Sequence, residues 1–270
     1  MSFRAARAAI LVVPSLLAAA TGDVMAQNNR AADGCVIGLP PEKLHFDPFY
    51  KKFCVAGGIP IASSEKVPDA ALQMAGDILT GMLGAMPAVR EKLVAVNLRI
   101  AIIGEHEVTT DIPEYKPLKQ MYPNRDYDKR TRGIGAMTAQ FPITSGAEEN
   151  LLCYPTDRYR GENIFVHEFS HTIKALGLQA IDPGFRMKAQ QAYEHAKAAG
   201  LWANTYSLVN AEEYWAEGVE SYFDVNKIVD PPNGIHNAIG TRAKLKDYDP
   251  ALFELIDQAF HATSWRPRCP

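Results

Sequence analysis

The sequence has no block of like charge, no internal repeat and no low-complexity tract. Its 28 Lys and Arg residues nearly balance 31 Asp and Glu residues, which leaves a net charge of −3. This balance argues against nucleic acid or an anionic membrane as the partner. No two cysteines have the C-x-x-C spacing, so a zinc site built from thiolates is not expected. The information about function must therefore come from other motifs.

After residue 26, no stretch is apolar enough to cross a bilayer. Residues 1–26 have the features of a signal peptide, because Arg4 and Arg7 precede an apolar run and small residues end it at Ala26. We expect cleavage after Ala26, a secreted or periplasmic product and no membrane association once the signal is removed. An uncleaved membrane anchor is the alternative.

The four cysteines all lie after the predicted signal peptide, and an even number in an exported chain indicates two disulfides. Of the three possible pairings we favour Cys35–Cys54 with Cys153–Cys269. Residues 27–60 are rich in proline, glycine and aromatic residues, which predicts an extended N-terminal segment held by a disulfide. Residues 61–270 are long enough to form one domain with its own core.

The order of predicted elements is typical of an α+β fold. Apolar periodicity and terminal signals predict helices over 68–83, 87–94, 185–199, 211–223 and 250–260, and strands over 98–104 and 149–154. Residues 105–145 carry several prolines and many charges, so they predict a long surface region. We expect the 149–154 strand to lie beside a cleft and to pair with an extended ligand.

The most informative motif is His167-Glu168-Phe169-Ser170-His171, an H-E-x-x-H sequence. Residues four apart lie on one face of a helix, so both imidazoles can bind one metal ion while Glu168 polarises a water beside it. The flanking residues Ile164, Phe165, Val166, Phe169, Ile173 and Leu176 form an apolar stripe. The alternative is a pair of core histidines, but burying both beside a carboxylate is costly without a metal.

A third ligand is expected on the later helix that begins after Asn210, a predicted N-cap. There Glu213, Glu217 and Glu220 share one face. A row of acids is usually a solvated face, but this helix is also rich in aromatic residues. Some of its carboxylates must therefore be buried against a cation, and zinc is one candidate.

From Tyr206 to Glu217 the sequence resembles the anthrax lethal factor family of zinc peptidases, which includes the Pro-Pro endopeptidases. In that family H-E-x-x-H is followed by a Tyr, an Asn, a ligand Glu and a further Glu, at spacings of four, three and four residues. The matching residues here are His167, Glu168, His171, Tyr206, Asn210, Glu213 and Glu217. The resemblance covers roughly residues 160–225.

This resemblance implies a Zn²⁺ site of the gluzincin type, with His167, His171 and Glu213 as ligands. It implies Glu168 as general base and Tyr206 as the group that stabilises the oxyanion. Glu217 would hold a zinc histidine, with Asn210 nearby.

The resemblance also implies a zincin-like domain over residues 61–270, in which a small mixed sheet lies over the active-site helix and the C-terminal half is mostly helical. The expected function is that of a secreted zinc endopeptidase acting on a peptide or protein substrate.

Two other functions stay open. One is a catalytically inactive protein that keeps the zincin fold for binding. The other is a glycoside hydrolase, in which two carboxylates act as acid and base beside exposed aromatics. We rank the hydrolase last because the paired histidines would have no role in it. A measurement of metal content would separate the glycoside hydrolase from the zinc peptidase and from the inactive zincin-fold protein.

Overall fold

The computed structural model describes residues 35–268, and the predicted α+β class is confirmed. Its sheet contains β1 (Lys52–Ala56), β2 (Ile59–Ser63), β3 (Arg99–Ile103) and β4 (Ile143–Ala147), in the order β1-β2-β3-β4. The β1–β2 pair is antiparallel, whereas β2–β3 and β3–β4 are parallel. The sheet is therefore mixed, as expected. The predicted signal peptide lies outside the described residues.

The helices supply most of the C-terminal half. They are α1 (Asp69–Leu83), α2 (Pro87–Ala95), α3 (Leu118–Met121), α4 (Tyr127–Arg130), α5 (Glu148–Leu151), α6 (Ile164–Thr172), α7 (Gln179–Ile181), α8 (Phe185–Ala198), α9 (Ala211–Tyr222), α10 (Arg242–Tyr248) and α11 (Pro250–Ala259). A π-helical segment, Ile173–Leu178, joins α6 to α7, and single 3₁₀ turns form at Glu42–Leu44, Thr109–Asp111, Pro113–Tyr115 and Tyr206–Leu208. Within residues 35–268, no helix is both long and apolar enough to span a bilayer.

A β-hairpin crosses the domain boundary expected at residue 60. Gly57 and Gly58 both have positive φ, 55° and 82°, and this conformation turns β1 tightly into β2. Residues 52–60 are therefore part of the sheet, and the extended segment is shorter than predicted. The Cys35–Cys54 disulfide, which ties that segment to β1, is confirmed.

The second predicted disulfide is described at one end only. Cys153 is disulfide-bonded, and Cys269, the partner favoured from the sequence, lies outside the described residues.

The sheet separates two apolar clusters because strand side chains alternate between its faces. On one face, residues such as Ile61, Ile100 and Ile102 join a large core with α1, α6, α9 and the C-terminal helices. On the other face, Ala101 and Ile103 join a smaller cluster. This smaller cluster also contains Ile112 and Tyr115, so the region from 105 to 145 is anchored by its own buried side chains.

Residues 149–154 do not form the predicted strand. Glu148–Leu151 is a short helix directly after β4, and Glu149 is buried there with Arg132. The Arg132 guanidinium donates to both Glu149 carboxylate oxygens, at 2.6 and 2.8 Å, and to the carbonyls of Gly104 and Glu107. The strand prediction was wrong because this ion pair, which involves residues distant in sequence, fixes the segment more strongly than local β-propensity does.

Candidate active site

Helix α6 presents its two histidines to a cleft and its apolar residues to the core. Its N-terminus is capped by Asn163, whose side-chain oxygen accepts from the backbone N–H of Val166 at 3.0 Å. Phe165 and Phe169 are fully buried. Since these residues fix the helix in the core, His167 and His171 lie one turn apart on the face that borders the cleft.

Helix α9 is capped at its N-terminus by Asn210 and is joined to α6 by a hydrogen bond from Trp215. Asn210 is its N-cap, as predicted, and its side-chain oxygen accepts from the backbone N–H groups of Glu212 and Glu213 at 2.8 and 3.0 Å. One turn later, Trp215 Nε1 donates to the carbonyl of Ser170 at 3.1 Å. This bond fixes the position of α9 along α6, so that Glu213 lies beside His167 and His171.

Three ligand atoms converge at this point. His167 Nε2 lies 3.1 Å from Glu213 Oε2 and 3.2 Å from His171 Nε2, and His171 Nε2 lies 3.4 Å from Glu213 Oε2. A tetrahedral zinc with bonds of about 2.0 Å separates its ligand atoms by about 3.3 Å. The donor set and the triangle therefore fit Zn²⁺, which these three residues would hold beside the cleft.

The pKa values of His167 and Glu213 are shifted in opposite directions. Burial alone would lower the pKa of His167, but the Glu220 and Glu213 carboxylates outweigh it and raise that pKa well above its ordinary value. Burial would raise the pKa of Glu213, but hydrogen bonds with both histidines hold it far below its usual range. Glu213 is thus an anion at neutral pH, as a metal ligand must be.

The carboxylate that orients His167 is Glu220, not Glu217 as expected from the resemblance. Glu220 Oε2 lies 2.8 Å from His167 Nδ1, whereas Glu217 accepts from Asn226 Nδ2 at 3.0 Å. Glu217 and Glu220 are three residues apart and share the face of α9 that borders α6, so sequence spacing alone does not separate them. A carboxylate on Nδ1 leaves Nε2 as the nitrogen that binds a metal.

Glu217 is almost fully buried in the wall of the cleft. Burial raises its pKa to about 8, and repulsion from Glu220 adds to that shift. His171 has no carboxylate equivalent to Glu220, and its Nδ1 has no hydrogen-bond partner within the described part of the chain. The two histidines are therefore held by different means, His167 by an ion pair and His171 by packing.

Glu168 lies at the side of the cleft against the segment Gly133-Ile134-Gly135. Ile134 pairs with Ser145 in an antiparallel bridge at the free edge of β4. A Cβ on Gly135 would lie 2.5 Å from the Glu168 carbonyl oxygen and 3.3 Å from Glu168 Oε2. Only glycine fits so close an approach. This segment was not predicted to belong to the site; the signal for it in the sequence is the pair of glycines two residues apart.

Tyr206 borders the same cleft from the 3₁₀ turn that precedes α9. Its side chain is 38% exposed. Burial of the hydroxyl, followed by the nearby Glu213 charge, raises its pKa to about 12. The phenol is therefore protonated at neutral pH and can donate a hydrogen bond. Asn210 also lines the cleft.

The cleft has a volume of about 820 Å³. Its walls come from the loop over residues 125–137, from residues 158–171 and from α9 and its neighbours. The long region before β4 thus forms one wall and does not fill the space beside the triad. This volume is typical of a ligand-binding cleft.

Comparison with known proteins gives little further information. No protein-family model matches the chain, and no curated protein matches it. One similar solved structure is that of the Pro-Pro endopeptidase PPEP-2 from Paenibacillus alvei, at 15% sequence identity and a TM-score of 0.47. The alignment covers 74% of this chain and 96% of that chain. The assignment of the site therefore rests on its own geometry.

Proposed function

We propose that this protein is a zinc-dependent endopeptidase of the gluzincin type. The observation that carries the proposal is the triangle of His167 Nε2, His171 Nε2 and Glu213 Oε2, with sides of 3.1 to 3.4 Å. Glu168 and Tyr206, the residues proposed to act in peptide hydrolysis, line the cleft beside this triangle. The open volume of that cleft supports turnover over a role in binding alone.

Zinc held by these three residues would act as a Lewis acid, which acidifies a water molecule and polarises the scissile carbonyl. Glu168 is adjacent to the triad and takes the role of general base, accepting the proton of the attacking water. It then transfers that proton to the leaving amine. Its position on α6, in close approach to the Gly133–Gly135 segment, restricts the directions that its carboxylate can take.

Tyr206 takes the role of oxyanion donor because it lines the same cleft as Glu168 and its phenol is protonated at neutral pH. A positioned donor to the developing oxyanion contributes a large part of such catalysis. Glu220 keeps His167 in the tautomer that leaves Nε2 available. We also propose export from the cytoplasm, which the Cys35–Cys54 disulfide supports.

The proposal is tested by metal content and peptide cleavage. Purified protein is loaded with zinc, and its metal content is compared with that of Glu213→Gln. One zinc per chain, lost or strongly weakened in the variant, is the expected result, with Glu168→Ala as the inactive control that retains zinc. A wild-type protein that binds no zinc after loading would exclude this mechanism and return the carboxylate-based hydrolase to consideration.

A further inference from the structure

The cleft has an uneven charge distribution, with its anions at the metal end and already paired. Glu212 Oε2 lies 2.8 Å from the buried Lys174 ammonium. Glu162 Oε2 lies 3.4 Å from His236 Nε2, and Glu213 faces the two histidines. Among the carboxylates that line the cleft, Glu168 and Glu217 have neither a cation nor a histidine partner within residues 35–268. Glu217 is buried and accepts from Asn226, which leaves Glu168 for the role in proton transfer.

The same cleft is lined by three arginines that have no carboxylate partner within residues 35–268. Arg125, Arg130 and Arg158 are exposed and line the cleft. The arginines of residues 35–268 that form ion pairs are others, namely Arg99, Arg132, Arg266 and Arg268. Because the whole chain has a net charge of −3, these arginines are a local concentration of positive charge and do not reflect a basic protein.

Hydrogen bonds between two segments hold Arg130 and Arg158 near each other. Arg158 Nη1 donates to the carbonyl of Lys129 at 2.6 Å, and the Tyr159 hydroxyl donates to the carbonyl of Arg130 at 3.0 Å. The Arg158 guanidinium also lies 4.9 Å from the centre of the Tyr159 ring. Such contacts reduce the entropy that the side chains lose when they bind an anion.

The arginines also connect the cleft with a second depression. Arg125 and Arg130 line both the main cleft and a shallower space of about 510 Å³, whose other walls are Met121, Tyr122, Pro123 and Asn124. Tyr122 and Met121 are exposed there, at 47% and 63%. An extended chain that runs from the triad into this depression must pass the arginines.

We infer that this cleft selects acidic peptides, with Asp or Glu side chains bound by Arg125, Arg130 and Arg158 on one side of the scissile bond. This inference rests on the proposed function and specifies its substrate class. The peptide carboxylates would complete ion pairs that the protein leaves open, and the depression beyond would accept an adjoining apolar or aromatic side chain.

The first test measures cleavage of two matched pools of random decapeptides. One pool has Asp or Glu at a fixed position and the other has Asn or Gln there, and mass spectrometry reports the ratio of their cleavage rates. We expect the acidic pool to be preferred about two- to threefold, since one exposed ion pair contributes roughly that factor. Arg125→Gln/Arg130→Gln/Arg158→Gln should bring this ratio near one.

The control variant removes the same charge elsewhere. Lys43, Lys92 and Lys244 are exposed, have no ion-pair partner within residues 35–268 and do not line the cleft, so their triple substitution by Gln should keep the ratio. Cleavage without a preference for the acidic pool, or a preference that the arginine variant retains, overturns the inference while the peptidase assignment stands. Cleavage of neither pool contradicts the peptidase assignment instead.

The second test decides the inference without turnover. Zinc-loaded Glu168→Gln protein is titrated against two fluorescein-labelled decapeptides of Gly and Ser that carry either three Glu or three Gln. Fluorescence anisotropy should show about tenfold tighter binding of the Glu peptide, weakening as salt is raised. Equal affinities overturn the inference. So does displacement by a DNA oligonucleotide of the same charge at a lower concentration than the unlabelled Glu peptide.

Discussion

Replacing Glu220 by Gln tests which carboxylate supports the metal site. The substitution keeps the shape of the side chain but removes the charge 2.8 Å from His167 Nδ1. Glu220 is fully buried, and its Oε1 has no hydrogen-bond partner within residues 35–268. A Gln that turns its oxygen toward His167 therefore places its NH₂ group where no acceptor is available. The variant therefore loses the negative charge and also leaves a buried NH₂ group without a hydrogen-bond acceptor.

The expected loss is large enough to measure directly. Removing the carboxylate that supports a metal-binding histidine costs about 10- to 100-fold in metal affinity, which corresponds to about 1.4–2.7 kcal/mol. Glu217→Gln is the matched control on the same helix face, because Gln retains an acceptor for Asn226 and no bond to a histidine is lost. We expect its zinc affinity to change about twofold or less, equivalent to about 0.4 kcal/mol.

The assay is a competition titration, in which metal-free protein and a chromophoric chelator compete for zinc. Circular dichroism of each metal-free variant establishes that it is folded before the titration. The reasoning is refuted if Glu217→Gln weakens zinc binding more than Glu220→Gln does. That result would mean that Glu217 supports the histidine once zinc is bound, as the resemblance to the lethal factor family implies.

Four further results are expected. Tyr206→Phe should lower kcat about 100-fold with zinc content unchanged, and since its pKa is about 12, the pH–rate profile below pH 11 should keep its shape; a lost basic limb would contradict this. Gly135→Ala should abolish cleavage because its Cβ meets a carbonyl oxygen of α6 at 2.5 Å, whereas Gly38→Ala, with no atom within 4 Å, should be neutral in the same assay. Glu149→Gln leaves a buried guanidinium uncompensated and should cost about 3–5 kcal/mol, seen as a Tm roughly 10 °C lower; an unchanged Tm would refute the importance of that pair. In the metal-free protein, burial raises the pKa of Glu217 to about 8. Because the folded state holds this proton more tightly than the unfolded state, the free energy of unfolding should fall as pH rises from about 4.5 to 8. Denaturant titrations of Glu217→Gln should show a smaller fall over the same pH range.

The parts of the fold that follow from local signals could be predicted from the sequence. Helix α1 begins one residue after Pro68, and α9 begins directly after its cap Asn210. The relative position of His167 and His171 follows from helix geometry alone, so the H-E-x-x-H motif specifies half of the site.

The remaining features depend on contacts between residues far apart in the chain. Glu217 and Glu220 lie on the same face of α9, and only Glu220 contacts His167. The way α9 packs on α6 decides which of the two makes that contact. The helix at Glu148–Leu151 was missed because Arg132, from another segment, stabilises the burial of Glu149. The Gly133–Gly135 segment reaches the site through the pairing of Ile134 with Ser145 at the edge of β4 and through close approach to α6.

The hydrogen bond from Trp215 to the carbonyl of Ser170 has a consequence for the order of folding and metal uptake. It joins the two ligand-bearing helices through a fully buried side chain, and no metal ligand takes part in it. In a zinc finger the chain folds only when the ion binds. Here the helices can dock beforehand through their apolar contacts, and zinc would add stability by mass action alone. If zinc binds as proposed, its binding free energy would not be consumed in ordering the chain, and the metal could be removed and replaced without unfolding the protein.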